Sequence, residues 1–244
     1  MSARGFVPGR SFAAAAVAAV LGLTATVGVM AAVPHVGDID FKVMRGDSPL
    51  GDHRLSFSRQ GETLNVEIAV DLGVDFGPFR VYEYTHRNRE VWRDGELVRL
   101  NSETDDNGES YFVHVERTPE GLRVETRDGV TLASGDVVPT SYWNYDIVEA
   151  DKVLSTQRGE ILEVSTELVG EEEIWVEGEA IPARHYRMTG ELELDLWYDA
   201  DDQWVKTAFV VRGEQIEYFR GGLPEDFEKA SFFLRQSVNG ASES

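Results

Sequence analysis

The chain has 244 residues, 44 of them acidic and 23 basic, for a formal net charge of −21. That excess repels nucleic acid and anionic membrane surfaces at long range, so no nucleic-acid partner is expected. Surface solubility accounts for the charge without a specific ligand. No cysteine is present, which excludes disulfides, thiol nucleophiles and a cysteine-linked lipid anchor.

Residues 1–31 read as a signal peptide. Arg4 and Arg10 precede a run from Phe12 to Met30 that holds no charged residue, and small side chains end it at Val29 and Ala31. Cleavage is expected after Ala31 or Ala32, giving an exported protein in the periplasm or outside the cell. The mature chain would then hold no transmembrane segment. Left uncleaved, the run is close to the ~20 residues that span a bilayer and would tether the chain to the membrane.

Beyond the leader, residues 32–220 read as one β domain. Ile39, Phe41 and Val43 alternate with polar residues, as do Leu55 and Phe57. Leu64, Val66, Ile68, Val70 and Leu72 give the clearest period of two, the mark of a strand with one face on a core. Turn pairs separate the runs: Gln60-Gly61, Asp94-Gly95, Asn107-Gly108, Glu120-Gly121, Asp128-Gly129 and Glu177-Gly178. Turns this short join antiparallel neighbours. Further strands are expected at Ile161–Leu168, Ile174–Val176, Arg184–Thr189, Leu192–Tyr198, Trp204–Val211 and Gln215–Phe219. The whole is a mainly β fold of roughly twelve strands.

Two segments break the alternation. Asn144–Leu154 places Ile147, Val148, Ala150 and Leu154 at helical spacing behind an Asn144 cap, which predicts one short helix. Residues 221–244 read as a tail. In it Pro224–Gln236 predicts a helix with Phe227, Ala230 and Leu234 on one face, and Asn239–Ser244 a disordered end.

A linked set of residues carries a family resemblance: Tyr82-x-Tyr84-x-His86, Glu90-x-Trp92, Asp94-Gly95-x-Leu97, Thr104-x-x-Asn107-Gly108, Ser141-Tyr142-Trp143-Asn144, Thr156-x-x-Gly159, Gly190, Leu196-Trp197-Tyr198-Asp199 and Trp204. Over about residues 38–219 the chain resembles an uncharacterised family of secreted bacterial proteins, domain of unknown function 6134. That family is distantly similar to the lipoprotein-carrier-like periplasmic fold. The resemblance implies a single, strongly curved antiparallel sheet, a half-barrel whose concave face holds acyl chains under covering helices. It implies no activity, and fold alone does not fix function.

Few residues carry chemistry by themselves. His86 shares a strand face with Tyr82 and Tyr84, and Glu90 follows, so His86 and Glu90 are the weak candidates for acid–base catalysis. A hydrogen-bonded core histidine is the competing reading. His35, His53, His86, His114 and His185 show no metal-ligand spacing, and neither a metal nor a cofactor is expected. Asp105-Asp106-Asn107-Gly108 and Asp199–Asp202 read as turns rather than calcium loops. No Gly-x-Ser-x-Gly elbow or glycine-rich phosphate loop occurs.

Three functions follow. The first is a non-enzymatic binding protein that holds an apolar, lipid-like ligand in the concave face, with Tyr84, His86, Trp92, Tyr142, Trp143 and Trp197 as ligand-binding candidates. The second is a structural or interaction domain of the cell envelope, with a filled core and a protein partner. The third is a hydrolase-type enzyme using His86.

Overall fold

The computed structural model describes residues 37–223. The predicted leader and the predicted helix at Pro224–Gln236 lie outside them. The described strands run β1 (Ile39–Arg45), β2 (Ser48–Gln60), β3 (Thr63–Phe76), β4 (Phe79–Arg93), β5 (Glu96–Asp106), β6 (Glu109–Thr118), β7 (Gly121–Thr126) and β8 (Gly129–Ala133). They continue with β9 (Val138–Pro139), β10 (Lys152–Leu154), β11 (Ile161–Val176), β12 (Glu179–Gly190), β13 (Leu194–Tyr198), β14 (Trp204–Val211) and β15 (Glu214–Arg220). All fifteen belong to one sheet, ordered β8-β7-β6-β5-β4-β3-β2-β1-β15-β14-β13-β12-β11-β10-β9. The sheet is open and mixed, because β9 and β10 pair in parallel while the other neighbours are antiparallel.

The order follows from the turns. Asp94-Gly95, Asn107-Gly108, Glu177-Gly178 and Arg212-Gly213 each hold two consecutive positive φ angles. That geometry matches the strand twist in a two-residue hairpin, so β4–β5, β5–β6, β11–β12 and β14–β15 fold back tightly. The acidic turns are turns: Asp105 accepts from the Gly108 amide at 2.7 Å, and Asp199 from the Asp201 and Gln203 amides at 2.9 Å.

Alternation sets the curvature. Leu64, Val66, Ile68 and Val70 are buried, and Leu72 packs half-buried beside them. One apolar cluster joins inward residues of β1, β7, β12 and β15, so the sheet bends until its inner face closes around a common core. Its two edges, β8 and β9, are linked by only residues 134–137. The molecule is a barrel-like wrap.

The predicted helix at 144–154 is not formed. Asn144 does cap, accepting from the Asp146 amide at 3.1 Å, but only one turn of 3₁₀ helix follows, Tyr145–Glu149. Val153 and Leu154 are extended instead, pairing with β9 and β11. A segment this short has little helical stability of its own. The sheet's backbone partners therefore outweigh local spacing, and the buried Ile147 and Leu154 satisfy both patterns.

A second, smaller core lies on the outer face. The β11–β12 hairpin shifts register between Leu168 and Gly170 and folds over the back of the sheet. There Ile174, Val176 and Ala183 pack on Trp197, Val205 and Ala208. The Glu177 amide donates to the Arg220 carbonyl at 3.2 Å and fixes the hairpin tip.

Candidate functional site

The inner face of β4 reads Tyr82, Tyr84, His86, Asn88, Glu90, Trp92, since alternate residues of a strand share a face. It is a polar and aromatic stripe down an otherwise aliphatic wall. What it meets changes along its length.

At its lower end it meets the chain itself. Residues 140–151 and 155–160, on either side of β10, turn from the sheet edge into the interior. Trp143 lies in the core with its ring 5.3 Å from Trp92 and 5.6 Å from Phe57, both edge-on. Glu90 binds this plug. Its Oε2 accepts from Trp92 Nε1 at 2.8 Å and Trp143 Nε1 at 3.0 Å, and its Oε1 accepts from Asn88 Nδ2 at 2.8 Å. Burial raises the Glu90 pKa, and the donors of Trp92 and Trp143, with Ser141 and Asn88 beside them, pull it back. One step higher, Ser102 donates to the Thr156 carbonyl. Gly159 (φ +77) then presses on the wall so closely that a Cβ would stand 2.4 Å from Thr126 Cγ2. Only glycine permits that approach.

The middle of the stripe holds histidines. His53, Val70 and His86 are direct cross-strand partners on β2, β3 and β4, and Thr104 continues the row on β5. His86 Nδ1 lies 2.7 Å from Thr104 Oγ1. Desolvation, with the Arg87 charge adding, lowers its pKa to about 4. His53 sits among Trp204, Tyr218 and Phe41, with ring centroids at 5.3, 5.6 and 6.2 Å. Neither ring nitrogen has a partner among the described residues, and desolvation, with His86 adding, lowers its pKa to about 3. Both imidazoles are therefore neutral at physiological pH.

The upper end is open. The register runs Thr207, Tyr218, Val43, Gly51, Leu72, Tyr84, Asp106 across seven strands. Gly51 leaves the centre of that row without a side chain. Leu50, Leu72, Tyr84 and Phe209 face inward yet stay only partly covered, as does Tyr142 above Trp204 at 5.5 Å. Tyr142 has φ +63, a strained value for a bulky residue and worth roughly 1–3 kcal/mol. Tyr198 helps hold it, donating to its carbonyl at 2.8 Å. Burial raises the phenol pKa of Tyr84, Tyr142 and Tyr218 alike. Tyr84 and Tyr142 are thus packed on most sides and still keep accessible surface at this end of the inner face.

The candidate residues therefore separate. Tyr84 and Tyr142 line the open end, His86 lies below them, and Glu90, Trp92 and Trp143 form the plugged end. Trp197 does not face the interior: it stands on the outer face in the second core, stacked on His185 at 4.2 Å. His86 and Glu90 are engaged by different partners, which removes the geometric motive for pairing them in catalysis. An open groove of about 350 Å³ lies elsewhere, over β4–β6, lined by Thr85, Arg87, Glu103, Asp105 and Phe112 among others. Among the described residues, no group of three or more His, Asp or Glu stands in metal-ligand geometry. Sequence reasoning missed His53, Tyr218, Leu50 and Phe209. His53 lies two residues before Leu55, and Tyr218 two after Ile216, so the period of two already placed both on the inner face.

Fold and site define a β-barrel-like protein with an internal plug and one open end. The chain belongs to the family described as Domain of unknown function (DUF6134), whose model matches residues 41–220. Among solved structures it is similar to a β-barrel-like protein of domain of unknown function DUF1849 from Brucella abortus. That likeness has a TM-score of 0.55 at 7% identity and covers 75% of this chain and 94% of the other. At such identity it supports the fold alone. No curated protein matches the sequence.

Proposed function

We propose that this is an exported, non-enzymatic binding protein that holds an apolar ligand at the open end of its barrel. The observation that carries the reading is the uncovered inner face at Leu50, Leu72, Tyr84, Tyr142 and Phe209. Further down the inner face of β3, at one, three and four alternate positions from Leu72, Val70, Val66 and Leu64 are shut away from water. A concave apolar wall with a few polar tips is the usual build of a small-molecule site. The rim supports it as well. Phe76, Phe79 and Val81 at the β3–β4 tip, and Val210 and Val211 near the β14–β15 tip, are exposed beside the opening. The uncharged leader run supports export.

The ligand space is smaller than a wholly hollow half-barrel would offer, because Trp143, Ile147 and Leu154 occupy the lower end. A packed envelope domain fits that lower end; the recess above it favours binding. Organic extracts of natively purified protein, examined by mass spectrometry, should contain a stoichiometric apolar molecule, and the stripped protein should take up Nile red. L72W, which fills the recess, should abolish uptake without unfolding the chain. Protein that extracts empty and leaves the dye dark would overturn the proposal.

A further inference from the structure

We propose that the recess selects an uncharged, oxygen-bearing amphiphile, with the Tyr84, Tyr142 and Tyr218 hydroxyls donating to its carbonyl, ester or hydroxyl oxygen. The inference rests on the binding reading above and narrows it to a ligand class.

Three phenols reach this place from three separate elements: Tyr84 from β4, Tyr218 from β15 and Tyr142 from the crossing segment. Tyr142 and Tyr218 both pack on the Trp204 ring, at 5.5 and 6.2 Å. Tyr84 joins them along the cross-strand row that contains Leu72 and Val43. Convergence of this kind is not required by packing, which phenylalanine would serve as well. A buried tyrosine hydroxyl ordinarily finds a partner. Here the only one among the described residues is Gln157, whose Oε1 lies 3.4 Å from the Tyr84 hydroxyl, at the long limit of a hydrogen bond. The Tyr142 and Tyr218 hydroxyls bond to no described side chain, and neither oxygen is fully enclosed and unpaired as the His53 nitrogens are. The strained backbone of Tyr142 is a further sign that its ring is held for a purpose other than stability.

The charges around the recess decide the ligand's class. No lysine or arginine perturbs the Tyr84, Tyr142 or Tyr218 hydroxyls. His53 and His86 beneath them are neutral. A carboxylate or phosphate entering here would be desolvated with no cation to meet it, which is strongly unfavourable. An ammonium fares no better. The one inward carboxylate on this row, Asp106, stands at its edge and accepts from the Tyr82 hydroxyl at 2.9 Å, and the phenols deeper in, kept protonated by burial, offer a cation no charge. What remains favourable is a neutral acceptor held by phenol donors, with its hydrocarbon along Leu50, Leu72 and Phe209.

The test uses the full-length chain and three chain-matched probes, monoolein, oleate at pH 8 and oleylamine, each competing with Nile red. Monoolein should displace the dye at concentrations at least tenfold lower than either charged probe. Y142F and Y218F, each referred to its own Nile red affinity, should weaken monoolein roughly fivefold relative to the unaltered chain, the worth of one neutral hydrogen bond. Dye uptake with oleate or oleylamine equal to monoolein overturns the ligand class while the binding reading stands. So does an unchanged monoolein affinity in both phenylalanine variants. A chain that takes up neither dye nor probe overturns both. Should a variant fold poorly, the ranking of probes on the unaltered chain decides by itself.

Discussion

At Glu90 and Trp92 the inner face of β4 meets Trp143, and the Glu90 carboxylate accepts from both indoles and from the Asn88 amide. At Tyr84, toward the other end of the same strand, the face meets nothing comparable, and the hydroxyls around it go largely unmatched. One strand thus carries two kinds of polar group. The lower ones are consumed in holding the fold together, and the upper ones are left over. Buried polar groups are costly unless paired. The interior is not uniformly satisfied, since His53 and Asn88 Oδ1 also lack partners, but the phenols differ in being gathered at the one end where the inner face keeps accessible surface.

That contrast breaks first at Glu90. E90A strands the indole N–H groups of Trp92 and Trp143 and the Asn88 amide in a dry interior. At roughly 1–3 kcal/mol for each unsatisfied donor, the loss approaches the whole stability of a small domain. Denaturant titration should find the variant unfolded or nearly so. E90Q is the sharper test. Its carbonyl replaces Oε2, and its amide can donate to Asn88 Oδ1, which is unpartnered and becomes available if Asn88 flips. E90Q should stay folded, and collapse of E90Q as complete as that of E90A would contradict the donor-counting argument.

The second largest effect is expected at the plug. W143A removes a fully buried indole wedged between Trp92 and Phe57 and should cost about 3–5 kcal/mol by truncation. In the double variant with E90A the penalties should fall well short of additive, because both changes break the same bond. Additive losses would mean that Trp143 acts through packing alone.

Much of this fold was legible in the alternation. Leu64–Leu72 behaves as its pattern requires, and the Asp-Gly and Asn-Gly pairs mark hairpins because their backbones readily adopt consecutive positive φ angles. The strand number came out low because β8, β9 and β10 lack a clean period; an exposed edge strand and two short pairings leave little hydrophobic signal. The helix at 144–154 was misread for a related reason. Periodicity records which residues are buried, and a turn followed by a strand can bury the same ones. The site was half visible. Tyr82, Tyr84 and His86 were read as one face, but Glu90 and Trp92 were not placed on it, and the meaning of Glu90 depended on Trp143, 53 residues away. Trp197 was assigned to the interior because an aromatic signature gives no face. Its neighbours Leu196 and Tyr198 in fact hold the inner positions.

His53 sharpens the contrast through pH. Its folded pKa, about 3, lies below the ordinary 6.5 because the ring is desolvated. The unfolded chain therefore takes up a proton in a range where the native state does not. Stability should be complete above pH 6.5 and decline as pH falls toward 3, with His86 acting in the same direction. Glu90, whose folded pKa is raised, opposes them at the acid end. H53F retains the aromatic packing and has no hydrogen bond to lose. It should raise the thermal midpoint at pH 5 more than at pH 8, and an equal change at both would mean that His53 is not the titrating group.

The smallest effect is expected on the outer face, where the comparison reverses: there a histidine is over-supplied with partners. His185 Nδ1 lies 3.2 Å from Glu172 on β11, and its Nε2 lies 2.7 Å from Asp195 on β13. Arg187 also reaches Asp195, at 3.1 Å. The ring stacks on Trp197, over which Lys206 of β14 sits at 4.3 Å, itself 3.5 Å from Glu217 of β15. Two ionised carboxylates are acceptors only, so both ring nitrogens must carry protons to satisfy them. Burial lowers the His185 pKa, but its bonds to Asp195 and Glu172 outweigh burial, and the net shift is upward. A base with a raised folded pKa contributes its full stabilisation below 6.5 and loses it as pH rises through the raised value. Alkaline pH should therefore loosen the β11–β12 hairpin from the second core by roughly 1 kcal/mol, the scale of a part-exposed ion pair. H185Q should lower the thermal midpoint slightly at pH 6 and not at pH 9. A difference that persists at pH 9 would assign His185 to packing against Trp197 instead of to the charge.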